Sequence, residues 1–128
     1  GLGWLPGPPA ERAKVRATAY AIAVDLHPVC NLSTARHAVQ ASGGAITMEG
    51  WMRHFIGPAL EAVEEMIDGG DRCHGQAVTL ADICLVPQIY NARRWGVDLT
   101  AMPKIARVAR ALEPLPAFAA AHPDRTPH

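Results

Sequence analysis

The chain has 128 residues, a formal net charge of +0 and an isoelectric point of about 7.2; hydrophobic residues make up 49% of it and charged residues 19%. This length gives room for one domain with a buried core, and this composition excludes intrinsic disorder. A neutral chain lacks the electrostatic signature of a nucleic-acid-binding or membrane-surface protein, and no apolar run approaches the roughly 20 residues of a membrane span. The three cysteines form no CxxC pair, which indicates a cytoplasmic protein with reduced thiols.

Alanine is abundant in the sequence, with 23 residues, whereas aromatic residues make up only 5%. Strand-like alternation of β-branched and aromatic residues never extends beyond a few positions. We therefore predict an all-α fold, a bundle of about five helices.

The first helix is expected to follow an irregular lead-in over residues 1–9 and to run from about Ala10 towards Gln40. Pro28 interrupts this stretch because it has no N–H for the carbonyl of Val24, so a kink or break is expected there. One apolar stripe precedes the proline at helical spacing. Its members are Val15, Ala19, Ile22, Ala23 and Leu26.

The second helix is expected to begin at a Thr47 cap and to carry an apolar face that extends to Ile67. Gly57 and Pro58 are expected to bend it. The sequence Asp68-Gly69-Gly70-Asp71 predicts its end, since glycine adopts the left-handed C-cap conformation without steric cost.

The third helix is predicted from Thr79 to about Trp95, with Gly96 ending it. Thr79 and Asp82 fit a capping box, in which the carboxylate reaches back to the first backbone N–H groups. The residues from 80 to 89 are apolar around nearly the whole circumference, which predicts a central helix surrounded by others. Two short helices are expected at residues 103–112 and 115–121, followed by an extended tail over residues 122–128.

Arg93 and Arg94 at the end of the third helix have two interpretations. They can interact with the helix dipole, with Asp98 close by, or they can clamp a carboxylate, for which a planar guanidinium is suited. Their side chains point about 100° apart, so they cannot serve one ligand equally. Arg94 shares its helix face with Pro87 and Tyr90.

His27 and Asn31 lie four residues apart around Pro28. In the structural interpretation, Asn31 ties off a carbonyl freed by the proline and His27 is a half-exposed surface group. In the functional one, the two side chains recognise a polar ligand. The adjacent pair Cys73-His74 lacks the spacing of a metal site and is expected to be an ordinary loop pair, while Cys30 and Cys84 are expected to be unreactive packing residues.

Residues 78–127, VTLADICLVPQIYNARRWGVDLTAMPKIARVARALEPLPAFAAAHPDRTP, closely resemble the end of zeta-class glutathione transferases, a family that includes the maleylacetoacetate and maleylpyruvate isomerases. Residues 12–31, with IAVDLHPVCNL at their core, resemble the first helix of the same family's C-terminal domain. Trp51 and the following His54-Phe55-Ile56 match its second helix. The resemblance implies that residues 1–128 form one all-helical C-terminal domain, and that the thioredoxin-like N-terminal domain is absent.

The resemblance also implies a function. The family adds glutathione to a cis double bond, lets the bond rotate and expels the thiol, and the C-terminal domain supplies one wall of the cleft. By position, His27 and Asn31 match first-helix residues that face glutathione and substrate. Arg94 matches an arginine that holds a substrate carboxylate, with Arg93 beside it. The implied cofactor is glutathione, bound mainly by the thioredoxin-like domain, and the implied ligand is a small dicarboxylic acid.

Three hypotheses follow. The chain is the diacid-binding wall of such an isomerase, inactive alone and without a catalytic residue of its own. Alternatively, it is a stand-alone helical module for protein interaction or oligomerisation, or a small-molecule binder that keeps the carboxylate clamp without catalysis. If the chain ends at Gly1, its uncovered apolar face predicts a homodimer or a larger assembly.

Overall fold

The computed structural model describes residues 3–126 and confirms the all-α prediction, since no strand occurs within that range. Helix α1 spans Pro9–Tyr20 and continues as a π-helical segment, Ala21–Leu26, and a short α2, His27–Val29. The remaining helices are α3 (Leu32–Ala41), α4 (Met48–Met66), α5 (Leu80–Arg94), α6 (Pro103–Leu112) and α7 (Pro116–Ala120), followed by a 3₁₀ turn at Pro123–Arg125. No helix between residues 3 and 126 combines the length and apolarity that crossing a bilayer requires.

The stretch from Ala10 towards Gln40 is interrupted close to Pro28, as expected, although the break is not at the proline itself. Its backbone widens into the π-helical segment, where the N–H of His27 bonds to the carbonyl of Ile22. The break itself falls at Asn31, whose ψ of 135° is extended. Pro28 has no N–H to donate to the carbonyl of Val24, one turn earlier in the helix. The helix is therefore already distorted, as a π-helical segment, before the chain reaches the proline.

Helix α4 begins where predicted, with the Thr47 hydroxyl accepting from the N–H of Gly50 at 3.0 Å. It ends at Met66, earlier than predicted, and Ile67 is already extended with ψ 156°. The N–H of Asp68 donates to the carbonyl of Cys73 at 2.9 Å, so the loop folds back on itself. Gly69, with φ +89°, serves this loop and not the helix C-cap.

Helix α5 is central to the bundle and packs against α1, the π-helical segment, α4 and α6. It ends as predicted, with Gly96 at φ +70°. One part of the prediction is wrong, because α5 is not covered all round: Ile83 is 36% exposed and Pro87 is also exposed. The buried face consists of Ala81, Asp82, Leu85, Gln88, Ile89 and Ala92.

The C-terminal third folds onto α5 and α4. Helix α6 has the predicted bounds, and its first turn is capped from α4 by Glu64, which accepts from the N–H groups of Lys104 and Ile105, both at 2.8 Å. The tail forms a 3₁₀ turn at Pro123–Arg125 where an extended segment was expected. Residues 1–2 of the predicted lead-in and 127–128 of the predicted tail lie outside the described residues.

Candidate functional site

The two arginines at the end of α5 have different partners. Nη1 of Arg93 donates to Oε1 of Glu113 at 2.5 Å, which joins α5 to the link between α6 and α7. The Arg94 guanidinium lies 5.4 Å from the Trp95 ring centroid and makes no hydrogen bond or ion pair within residues 3–126. The expected neighbour Asp98 contacts neither arginine through an ion pair; it accepts from the N–H of Thr100 at 2.9 Å. Arg94 is therefore the guanidinium that is available to a carboxylate.

Tyr90 lies one turn before Arg94 on the outward face of α5. Its hydroxyl donates to Oδ1 of Asp124 at 3.0 Å, and its ring packs edge-on against His122 with the centroids 5.2 Å apart. The hydrogen bond to the Asp124 carboxylate raises the pKa of Tyr90, so the phenol stays protonated. This pair is separated by 34 residues in sequence, and no spacing signal could have indicated it.

Two adjoining hollows follow this face of α5. The smaller, about 100 Å³, has an edge formed by Tyr90, Arg93 and His122. The larger, about 650 Å³, is an apolar groove, and the two share part of their lining. The groove residues include Trp4, Ile83, Pro87, Leu115 and Phe118. A groove of this character beside exposed cationic groups is typical of a binding surface.

His27 and Asn31 do not join Arg93 in these hollows. The helix breaks between them, so His27 lies in α2 and Asn31 at the start of α3. Asn31 is the N-cap of α3, and its Oδ1 accepts from the N–H and the hydroxyl of Ser33 at 3.0 and 2.9 Å. The Asn31 side chain donates to no backbone carbonyl within residues 3–126, so it does not have the structural role expected for it, which was to tie off a carbonyl freed by the proline. The Thr34 hydroxyl donates to the carbonyl of Pro28 at 3.2 Å. Neither hollow beside α5 is lined by His27, Asn31 or Arg94.

The start of α5 is built around a buried carboxylate. Oδ2 of Asp82 accepts from the N–H and the hydroxyl of Thr79 at 2.8 and 3.1 Å, and the capping box predicted from the sequence is present. Oδ1 accepts from the N–H of Cys73 at 2.8 Å. The carboxylate thus fixes both the helix start and the preceding loop.

A second polar cluster lies beside it and was not predicted. The Cys73-His74 pair lies in the loop between α4 and α5, and both residues are buried there, with His74 5% exposed. Its Nε2 shares a hydrogen bond of 2.8 Å with Thr18, and its Nδ1 lies 3.3 Å from Oδ1 of Asp68. No group of three or more potential metal ligands occurs within residues 3–126.

The cysteines are poor nucleophiles. Burial raises the pKa of Cys30 to about 11, and it also raises the pKa of Cys73, next to the Asp82 carboxylate. Cys84 is half-buried, and desolvation raises its pKa as well. A thiol that remains protonated at neutral pH does not act as a nucleophile. A thiol reaction at this surface therefore needs a thiol from elsewhere.

Comparison with known proteins identifies relatives along nearly the whole chain, although no protein-family model matches it. The maleylacetoacetate isomerase of Rhizobium meliloti (strain 1021) is 48% identical over 98% of this chain and 61% of its own length. The crystal structure of maleylacetoacetate isomerase from Anaeromyxobacter dehalogenans 2CP-1, with bound dicarboxyethyl glutathione and citrate in its active site, superimposes with a TM-score of 0.89 at 43% identity. The superposition covers 97% of this chain and 56% of the chain in that crystal structure.

A glutathione S-transferase from Legionella pneumophila is 31% identical, with a TM-score of 0.88, over 96% of this chain and 68% of its own. The chain spans about three fifths of the length of the curated relatives it matches. The relatives named above are enzymes, so they do not support the alternative of a stand-alone interaction module. By these matches the chain belongs to the zeta class of the glutathione transferases, the family of the maleylacetoacetate and maleylpyruvate isomerases, and has the fold of their helical C-terminal domain.

Proposed function

We propose that the chain forms the helical half of a glutathione-dependent cis–trans isomerase that acts on a small dicarboxylic acid. The observation that carries this proposal is the Arg94 guanidinium at the end of α5, which has no hydrogen-bond or ion-pair partner among residues 3–126, in a chain 48% identical to a maleylacetoacetate isomerase. A guanidinium suits the planar, bidentate geometry of a carboxylate. In the protein from Anaeromyxobacter dehalogenans, the active site holds citrate and a dicarboxyethyl derivative of glutathione.

The groups of this chain fit a role in binding. Glutathione supplies the thiol that adds reversibly to the double bond and so permits rotation. The chain's own cysteines are held protonated, which is consistent with an external thiol. Arg94 holds a carboxylate of the acid while the rest of the molecule rotates. A cation at this position also offsets the negative end of the α5 dipole, which would otherwise repel an anion.

The other two candidate residues act from the broken end of the first helix. His27 is exposed, and the amide nitrogen of Asn31 makes no hydrogen bond within residues 3–126, although its oxygen is used by the cap. We assign both to contacts with glutathione or with the acid. Arg93, already paired with Glu113, is assigned to the edge of the site.

The proposal also assigns a place to the glutathione-binding domain. An apolar groove of about 650 Å³ runs beside α5 and continues into the hollow at Tyr90. A thioredoxin-like domain that covers this groove would bring glutathione to the end of α5 where Arg94 lies. Burial of the groove would also remove its apolar surface from water, which favours the association.

The test joins this chain to the glutathione-binding domain of the Anaeromyxobacter dehalogenans relative and measures isomerisation of maleylacetoacetate with added glutathione. We expect turnover by the joined protein and none by the 128 residues alone. Turnover by the chain alone, or its absence from a folded joined protein that binds glutathione, contradicts the proposal.

Arg94→Ala in the joined protein is expected to lower kcat/KM for the diacid by roughly 10- to 100-fold, because a charge-assisted bidentate contact is lost. The KM for glutathione should stay nearly unchanged. Arg93→Ala is the matched control and should have the smaller effect, since its guanidinium is already paired. Equal effects of Arg94→Ala on diacid and glutathione would remove the clamp role.

A further inference from the structure

The C-terminal strap, which we define as residues 122–126, is held to the rest of the protein by one hydrogen bond among the described residues, from the Tyr90 hydroxyl to Asp124 at 3.0 Å. Its other hydrogen bonds are internal. The N–H of Arg125 and the hydroxyl of Thr126 both donate to the carbonyl of His122, at 2.9 and 3.3 Å. The position of the strap therefore depends on Tyr90, with edge-on packing of His122 on the Tyr90 ring as the supporting contact.

The strap is one wall of the hollow of about 100 Å³ beside Arg93. Tyr90 and Arg93 form the α5 side of this hollow, and His122 and Pro123 form the opposite side. The ion pair between Arg93 and Glu113 closes it near the α6–α7 link. Tyr90, which bonds to Asp124, and Arg93, which pairs with Glu113, both lie in the last two turns of α5, and the hollow lies between these two contacts.

We propose that Tyr90 is a positioning residue that holds the strap as a wall of the hollow beside Arg93, at the edge of the proposed carboxylate-binding site. This inference rests on the proposed function. The hollow has room for only a few atoms, since one water takes about 30 Å³ of liquid volume. A fixed wall limits the part of the acid that fits beside Arg93. A loose strap must be ordered by the ligand, and that ordering weakens binding.

The first measurement is made on the 128-residue chain without any ligand. Backbone ¹⁵N order parameters are recorded for residues 124–126, together with the ring-to-ring NOE between residues 90 and 122. In Tyr90→Phe, which keeps the ring and loses the hydroxyl, we expect the strap order parameters to fall from about 0.85 to below about 0.6 and the NOE to weaken.

Three further variants sharpen this measurement. Asp124→Ala should reproduce the effect, whereas Asp124→Asn keeps an acceptor oxygen and should restore the wild-type values. Tyr20→Phe is the matched control, because Tyr20 is 53% exposed and makes no hydrogen bond within residues 3–126. If Tyr90→Phe behaves like Tyr20→Phe, or if Asp124→Asn is as mobile as Asp124→Ala, the inference is overturned.

The second measurement uses the protein joined to the glutathione-binding domain. Tyr90→Phe should raise the KM for the diacid by roughly two- to tenfold, the range of one hydrogen bond, with kcat nearly unchanged. Asp124→Asn should leave KM near the wild-type value. A mobile strap with unchanged KM would make Tyr90 a structural anchor only and would overturn the inference. If Arg94→Ala fails to affect the diacid while the strap responds in the ligand-free chain, it is the proposed function that fails.

Discussion

At the scale of single residues, Asp82 shows how one buried side chain serves two elements. It is fully buried and accepts hydrogen bonds from the N–H and hydroxyl of Thr79 and from the N–H of Cys73. The local pair could be predicted from a spacing of three residues. The bond to Cys73 could not, because it depends on how the loop after α4 returns to the start of α5.

Asp82→Ala is expected to lower the free energy of unfolding by about 2–4 kcal/mol, because a cap is lost and buried donors remain without acceptors. Urea denaturation followed by circular dichroism measures this. Asp98→Ala removes an acceptor for one backbone N–H in an exposed turn and should cost much less. Equal losses of stability in the two variants would show that burial of the groups that donate to Asp82 contributes little.

The environment of Asp68 predicts that the stability of the folded protein depends on pH. The pKa of Asp68 is lowered, first by the hydrogen bond from the N–H of Gly75 and then by His74. Since the folded pKa lies below the unfolded value of about 3.9, the stabilisation is complete above that value and is lost as the pH falls through the folded pKa.

Unfolding curves recorded between pH 6 and pH 2 should therefore show a loss of stability below about pH 4 that is reduced in Asp68→Asn. Asp25→Asn is the control, because Asp25 is exposed and makes no hydrogen bond within residues 3–126. If Asp68→Asn loses as much stability below about pH 4 as the wild type, Asp68 is not the group responsible.

At the scale of helices, the first turn of α6 depends on a residue 40 positions away. Met102, at the N-cap position, provides no side-chain cap. The carboxylate of Glu64, on α4, accepts from the first N–H groups of α6 instead. The bounds of α6 followed from Pro103 and the apolar spacing, but the capping carboxylate could not be predicted from the sequence because a helix cap is usually local.

Glu64→Ala is expected to destabilise the protein by about 1–3 kcal/mol and to raise amide exchange rates at Lys104 and Ile105 in particular. Glu61→Ala, an exposed carboxylate on the same helix, is the matched control. Uniform acceleration of exchange throughout the chain, without preference for the start of α6, would argue against a local cap.

At the scale of the whole molecule, the apolar groove beside α5, of about 650 Å³, is a surface that residues 3–126 leave uncovered by their own packing. Ile83 and Trp4, which are 36% and 45% exposed, both line it. An uncovered apolar surface of this kind favours association in water.

The 128-residue chain is accordingly expected to form dimers or larger assemblies at tens of micromolar, and Ile83→Lys should shift it to the monomer by placing a charge in the groove. Light scattering measures both. Leu32→Lys changes an exposed leucine that lines neither hollow and should leave the assembly intact. A monomeric wild-type chain would show that the groove does not pair with a second copy.

The sequence by itself determined the helical class, the caps at Thr47 and Thr79, the bounds of α6 and the family resemblance. These features depend on residue types at short, fixed spacings. Tertiary structure alone decided that the break falls at Asn31, that Arg93 pairs with Glu113 while Arg94 has no partner among residues 3–126, and that Tyr90 bonds to Asp124. Each of these joins residues far apart in sequence or depends on competition for a partner, and local patterns do not record which of several partners a side chain meets once the helices pack.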